Sequence, residues 1–167
     1  MKRKPSTAPR RSGRQARGRS PGARTRSGAA TFLPAPSATL RGLPFSEAVR
    51  AGDFLFLSGQ IGSAPGTVDV VPGGIAAETK QVMENVRAVL ERHGSSLDQV
   101  VKFTVFLADI GEWGAFNEVY RKFFENRFPA RSALGASGLA KGARVELECV
   151  AYAPSKRRGR LRKAKPE

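Results

Sequence analysis

Residues 75–107 read IAAETKQVMENVRAVLERHGSSLDQVVKFTVFL. Ile75, Thr79, Val82, Met83, Val86, Val89 and Leu90 recur mostly at spacings of three and four, which puts one apolar stripe on one face of a helix. Glu78, Lys80, Glu84, Arg87 and Glu91 fall elsewhere around it. Gly94 stands where a helix ends in a left-handed residue. His93 precedes it, placed so that a protonated imidazole complements the negative end of the helix. After the connection Ser95–Asp98, the run Val100 to Leu107 is β-branched and aromatic and predicts a strand. A long amphipathic helix leading directly into a strand is the unit around which the rest is arranged.

Upstream, Phe54-Leu55-Phe56-Leu57 predicts a buried strand that stops at Ser58-Gly59-Gln60. Ser46 to Val49 is a short candidate strand before it, joined by turn residues Ala51, Gly52 and Asp53. Pro34 and Pro36 make the entry from Thr31 irregular or extended. Pro65-Gly66 and Pro72-Gly73-Gly74 mark loops before the long helix. Downstream, Phe116, Val119, Tyr120, Phe123 and Phe124 form the stripe of a second helix over 113–125, started by Trp113. Pro129 forces an extended chain. A strand is expected over 131–136, a turn at Lys141-Gly142, and a last strand over 145–152. Two helices among about five strands predict an α+β fold, one sheet with both helices packed on one face.

The last strand says what the other face does. Val145, Leu147, Cys149 and Ala151 point one way, toward the helices, so Cys149 is expected as a buried thiol. Glu146, Glu148, Val150 and Tyr152 point the other way. That second row is too apolar for open solvent and too charged for a core. It suits an interface between copies with a polar cleft in it.

The chain has 167 residues, 29 Lys+Arg and 14 Asp+Glu, a formal net charge of +15. Residues 1–30 hold ten Lys/Arg and no acid, and residues 155–167 hold seven with one acid, Glu167. The ends therefore carry +10 and +6, leaving −1 for residues 31–154. The ends are Arg-, Ser-, Gly- and Lys-rich and bury too little apolar surface to order themselves, so two disordered tails around one domain, 31–154, are expected. The basic balance does not make that domain a nucleic-acid binder. No apolar run approaches the ~20 residues of a membrane span. The N-terminus lacks the apolar stretch of a secretory signal. A single cysteine suits a reducing compartment, and a cytoplasmic location is expected. One histidine and one cysteine do not supply a zinc site of usual composition.

Four segments, LPFSEAVRAGDFLFLSGQIG from Leu43, TKQVMENVRAVLERHGSSLDQVVKFTVFLAD from Thr79, FNEVYRKFF from Phe116 and FPARSALGASGLAKGARVELECVA from Phe128, together resemble the reactive-intermediate deaminases, the RidA or YjgF family. The resemblance implies a chorismate-mutase-like fold and a homotrimer, with three sheets closing a central barrel and clefts at the subunit interfaces. It also implies hydrolysis of reactive enamines and imines such as 2-aminoacrylate to 2-keto acids and ammonia, with no metal and no organic cofactor.

By composition alone Arg131 is a surface arginine. In the resemblance it stands where the family's arginine holds the substrate carboxylate, a task for which a planar guanidinium is suited by its two parallel donors. Glu146 stands at the position of the glutamate that orients or deprotonates water. Glu148 lies on the same face, and spacing alone does not separate the two. Ser58 and Gly59 match the stretch that lines the cleft, chiefly through backbone. Ala133 replaces a cysteine found in many relatives, and Phe45 replaces a tyrosine, so the ring can wall the site without a hydroxyl. Gly135 and Ala140 are further departures. Some members of the family are described as ribonucleases or translation inhibitors, and an RNA-associated role using the basic tails is the alternative. Neither tail contains an aromatic residue, so such contact would be to phosphates and not by base stacking.

Overall fold

A computed structural model describes residues 30–154. The two basic tails lie outside the described residues. Six strands, β1 (Thr31–Leu33), β2 (Ala48–Ala51), β3 (Phe54–Ile61), β4 (Val100–Leu107), β5 (Ala130–Gly135) and β6 (Val145–Tyr152), form one mixed sheet in the order β1-β2-β3-β6-β4-β5. β4 and β5 are parallel, and the other neighbours are antiparallel. The helices are α1 (Ala38–Arg41), a single turn, α2 (Gly74–Arg92) and α3 (Trp113–Tyr120).

Local chemistry explains the connections. β2 and β3 are joined through Gly52-Asp53, and Gly52 takes φ 58°, the positive value that a tight hairpin needs and a side chain resists. The parallel pair β4–β5 requires a crossover, which α3 supplies. Gly94 has φ 78° just past α2 and ends it as expected. Close packing sets a second glycine. A side chain at Gly62 would meet Glu78 of α2, with the Cα at 2.8 Å and the carbonyl oxygen at 2.9 Å. The approach lets the Glu78 carboxylate accept a hydrogen bond from the Arg144 backbone N–H at 2.7 Å, which ties α2 to the start of β6.

Both long helices cover one face of the sheet, α2 against β3 and β6 with α3 beside it. Val82, Met83, Val86, Val89 and Leu90 of α2 are buried there against Leu55, Phe103, Val105 and Leu147. Val145, Leu147, Cys149 and Ala151 are buried in the same core, whereas Glu148 and Tyr152 of the alternate row are exposed. On that open face Phe54, Phe56 and Leu134 are also exposed, at 40–46%.

Several boundaries differ from expectation. The first hairpin strand is Ala48–Ala51 instead of 46–49, because the Gly52-Asp53 turn pairs Ala51 with Phe54. The stretch from Thr31 forms a sixth strand on β2, and α1 follows it, neither of which the proline-rich entry had signalled. The second helix stops at Tyr120 and passes through one 3₁₀ turn, Arg121–Phe123. Phe124 is extended there (φ −132°, ψ 127°), which sends its ring edge-on to Phe103 and Phe128. β5 begins one residue earlier than expected. Among the described residues no helix is long and apolar enough to cross a membrane.

Phe103 is fully buried at the centre of this packing. Phe103→Ala should cost about 3–5 kcal/mol by lost contact and an unfilled cavity. Urea denaturation should show a lower midpoint at unchanged slope.

Candidate active site

β3 carries a bulge. Leu57 pairs with Cys149 and Gln60 with Leu147, so Ser58 and Gly59 together face the single residue Glu148. The extra residue turns Gly59 onto Glu146 of β6. A Cβ built on Gly59 would overlap the Glu146 carboxyl group, its Cδ lying at 2.8 Å. The absent side chain therefore makes room for the carboxylate, a use that the sequence expectation of close ligand approach did not foresee. Ser58 acts from behind. Its Oγ donates to the Ser46 carbonyl at 2.7 Å and its N–H to the Glu47 carbonyl at 3.1 Å. These bonds anchor the segment that follows Phe45.

Phe45, Gly59 and Glu146 meet around one cavity of about 330 Å³. Leu43 and Ile61 give it apolar walls, and Lys141 and Glu47 also line it. Lys141 takes φ 60°, a left-handed conformation unusual for a side-chain-bearing residue. The expected turn at Lys141-Gly142 is thus a strained one at the cavity wall. Glu47 is buried and accepts both Arg92 (2.6 and 2.7 Å) and the His93 ring (3.1 Å). His93 caps α2 as the sequence suggests, but its ring is spent on Glu47.

Arg131 and Ala133 lie elsewhere. Arg131 pairs with Phe103 and Ala133 with Val105, which places both on the helix-covered face. The Arg131 guanidinium rests against three rings of α3, at 4.8 Å from the Tyr120 centroid, 5.5 Å from Phe116 and 5.9 Å from Trp113. Electrostatic attraction to the ring faces holds the cation there. It opens onto a second cleft shared with Trp113, Asn117 and Phe128. Glu146 pairs with Phe106 on the open face. A single chain therefore brings Phe45, Gly59 and Glu146 together, keeps Ser58 just behind them, and separates all of them from Arg131 and Ala133 by the thickness of the sheet.

Burial raises the Glu146 carboxyl above its ordinary 4.5, and the neighbouring Glu148 charge adds to the effect. Glu148 is the more exposed of the two, a distinction that the alternation of β6 could not make. Burial also pushes the Tyr120 phenol to about 12, opposed by Arg131. It pushes the Cys149 thiol to about 12 as well, with the Glu148 charge adding, so Cys149 is the inert core thiol expected. Among the described residues no group of three or more His, Cys, Asp or Glu is placed to hold a metal ion.

Glu47 and Asn117 were not singled out from sequence, and Lys141 was read only as part of a turn. Glu47 meets Arg92 across 45 positions, and nothing local announces that pairing. Asn117 follows Phe116 inside a helix stripe and lacks any signal of its own.

The chain belongs to the Endoribonuclease L-PSP family, the RidA/YjgF group, whose family model matches residues 36–153. It is 43% identical to the human 2-iminobutanoate/2-iminopropanoate deaminase over 108 residues, which is 65% of this chain and 79% of that one. A RutC family protein of Pyrococcus horikoshii is 45% identical over 109 residues, 65% of this chain and 86% of its own. The crystal structure of RidA from the Antarctic bacterium Psychrobacter superimposes with a TM-score of 0.67 at 35% identity, covering 73% of this chain and 98% of that one.

A carboxyl whose pKa is raised by folding binds its proton more tightly in the native state. Stability is then lost as pH rises from the ordinary value through the raised one. Glu146→Gln should accordingly raise the melting temperature at neutral pH and leave it unchanged well below pH 4.5, where both side chains are neutral. Differential scanning calorimetry across pH checks this, and a destabilised Gln variant at neutral pH would contradict it.

Proposed function

We propose that the protein is a hydrolytic deaminase of reactive imino and enamino acids, such as 2-aminoacrylate, and that its site is completed between copies of the chain. The separation of Arg131 from Glu146 on opposite faces of one sheet carries this proposal. A substrate held by its carboxylate and attacked by water needs both groups within a few ångströms, and one chain does not supply that. The exposed Phe54, Phe56, Leu134 and Tyr152, on the same face of the sheet as Glu146 and Glu148, support burial of this open face against a second copy. A homotrimer, as the family resemblance implies, would set the Arg131 cleft of one copy beside the Glu146 cavity of the next.

In that arrangement Arg131 receives the substrate carboxylate through two parallel donors, with Ala133 offering backbone beside it. Phe45 walls the other side, and the C=N carbon faces Glu146. Water held by Glu146 adds to that carbon while the carboxylate accepts its proton. That proton passes to nitrogen. The hydroxyl proton of the tetrahedral adduct follows it by way of the Glu146 carboxylate as C=O forms and the C–N bond breaks, and ammonia leaves a 2-keto acid. An enamine such as 2-aminoacrylate enters as its imine tautomer. Burial and the neighbouring Glu148 charge, which raise the pKa of Glu146, make its carboxylate a better base than an exposed one.

The deaminase named among the relatives favours this chemistry over the RNA cleavage in the family's title. So does the placement of His93, which is bound to Glu47 and does not line the cavity.

Arg131→Ala should lose about 2–4 kcal/mol of transition-state binding, roughly 30- to 1000-fold in kcat/KM. Arg131→Lys should recover little of it. Glu146→Gln should lower kcat more than it raises KM. Keto-acid release from an enzymatically generated imine measures all three, with light scattering to show an unchanged trimer.

Mixing distinguishes a shared site from a self-contained one. When the inactive Arg131→Ala and Glu146→Gln chains are unfolded and refolded together, about a quarter of the interfaces should pair two intact halves and regain activity. Mixtures with no more activity than the separate variants would sink the intersubunit site.

A further inference from the structure

The cavity beside Glu146 is larger than the smallest imino acids need. Its volume is about 330 Å³. Cavities of roughly 300–1,000 Å³ hold ligands of drug size, whereas 2-aminoacrylate has three carbons. Leu40, Leu43, Phe45, Ile61 and Val68 line the space. Ile61 is the cross-strand partner of Glu146, so the two side chains stand together on one face of the sheet, roughly 5 Å apart at Cβ. Gly59 gives way to the same carboxylate. The apolar wall thus starts at the carboxylate itself.

The rim is built, and its polar groups are spent on the protein. Asn85 of α2 donates to the carbonyls of Ile61 and Ser63, both at 3.0 Å, and a bridge between Ser63 and Val70 closes the loop that follows. Ser37 Oγ donates to the Gly66 carbonyl at 3.2 Å, which ties the start of α1 to that loop. Leu40 of α1 and Val68 of the loop thereby reach the same cavity. Among the polar residues that line it, Gln60 Nε2 donates to the Ser58 carbonyl at 3.2 Å and Thr67 Oγ1 to the Ala64 carbonyl at 3.0 Å. The Glu47 carboxylate is taken up by Arg92 and His93. Lys141 is exposed, so its ammonium stays in water while its stem covers the wall. The surface left for a ligand to cover is apolar.

We propose that this cavity takes the side chain of the imino acid, and that the preferred substrates carry a branched aliphatic or aromatic side chain. The inference rests on the deaminase reading of the site. The C=N carbon bears the nitrogen, the carboxylate and the side chain. With the carboxylate drawn to Arg131 of a second copy and the carbon set against Glu146, the side chain is directed past Phe45 and Ile61 into the apolar space. A methyl group there would leave most of these walls facing water. A larger apolar group removes protein and substrate surface from water together, and that binding energy is available to raise kcat/KM. Glu146 and Phe45 line the same cavity, so a segment of protein seated in it would cover the base. The space therefore belongs to the substrate.

Selectivity among imines tests this on the full-length chain. An amino-acid oxidase generates the imines of alanine, leucine, phenylalanine and glutamate in place, and keto-acid release above the uncatalysed rate gives kcat/KM. The leucine- and phenylalanine-derived imines should exceed the alanine-derived one by about tenfold or more, as added methylenes do in an apolar pocket. The glutamate-derived imine, similar in length to that of leucine but charged, should show no such gain. Leu43→Gln and Val68→Gln should each lower the leucine-to-alanine ratio by about tenfold, with circular dichroism showing an unchanged fold. Calorimetric titration with the stable products reads the same contact without turnover. The keto acid from leucine should bind about tenfold tighter than pyruvate. Equal kcat/KM for the alanine- and leucine-derived imines, still lost in Arg131→Ala, would overturn the cavity assignment and leave the deaminase reading standing. Preference for the glutamate-derived imine would overturn it in favour of Lys141. No turnover of any imine would remove the deaminase reading and this inference with it.

Discussion

β6 is paired on both edges, with β3 on one side and β4 on the other, and its side chains alternate with a period of two. Most of the molecule follows from that constraint. Val145, Leu147, Cys149 and Ala151 must face the helices to complete the core, so Glu146 and Glu148 are obliged to face the other way. A slip of one residue would bury two carboxylates and expose four apolar side chains. The register that stabilises the domain is therefore the same register that places the carboxyl of Glu146 at its cavity. Glu78, bound to the Arg144 N–H, fixes where β6 begins and so holds that register from the helix side.

The parts of the fold legible in the sequence are those where one periodicity acts alone. The stripe of α2 and the alternation of β6 each reappear in the burial pattern almost residue for residue. The first hairpin was displaced because its register depends on a turn whose partners lie on both sides of Gly52. The end of α3 was displaced because Phe124 packs on Phe103, a contact that no helix propensity describes. Candidate site residues can be named from the sequence, but not how they are arranged. A strand beginning near Arg131 shows that Arg131 and Ala133 share a face, yet which face depends on their pairing with Phe103 and Val105. The bulge at Ser58-Gly59 is likewise a property of two strands together.

Charge within the domain is handled in two ways. Glu47 is buried and answered by Arg92 and His93, an arrangement in which removing Arg92 would leave the carboxylate with the His93 ring as its remaining partner. Among the described residues no carboxylate pairs with Arg131, which is held by aromatic rings instead, and this leaves its donors available to an anionic ligand. Beneath it the Tyr120 hydroxyl is buried with no hydrogen-bond partner among the described residues. The α3 rings thus serve the core and the arginine at once, and the unpaired hydroxyl is the penalty of putting a tyrosine in both roles.

β5 lies at the margin of the sheet, joined only to β4, and it is the one strand held by a parallel ladder. Such an element can detach without the rest of the domain melting, since protection from opening is graded from edge to centre. Amide exchange in β5 would then outpace that in β3, β4 and β6, and Arg131 would come adrift while Glu146, on the central strand, was still in place. Thermal inactivation would run ahead of unfolding, and its onset would report the grip of one edge strand more than the stability of the domain.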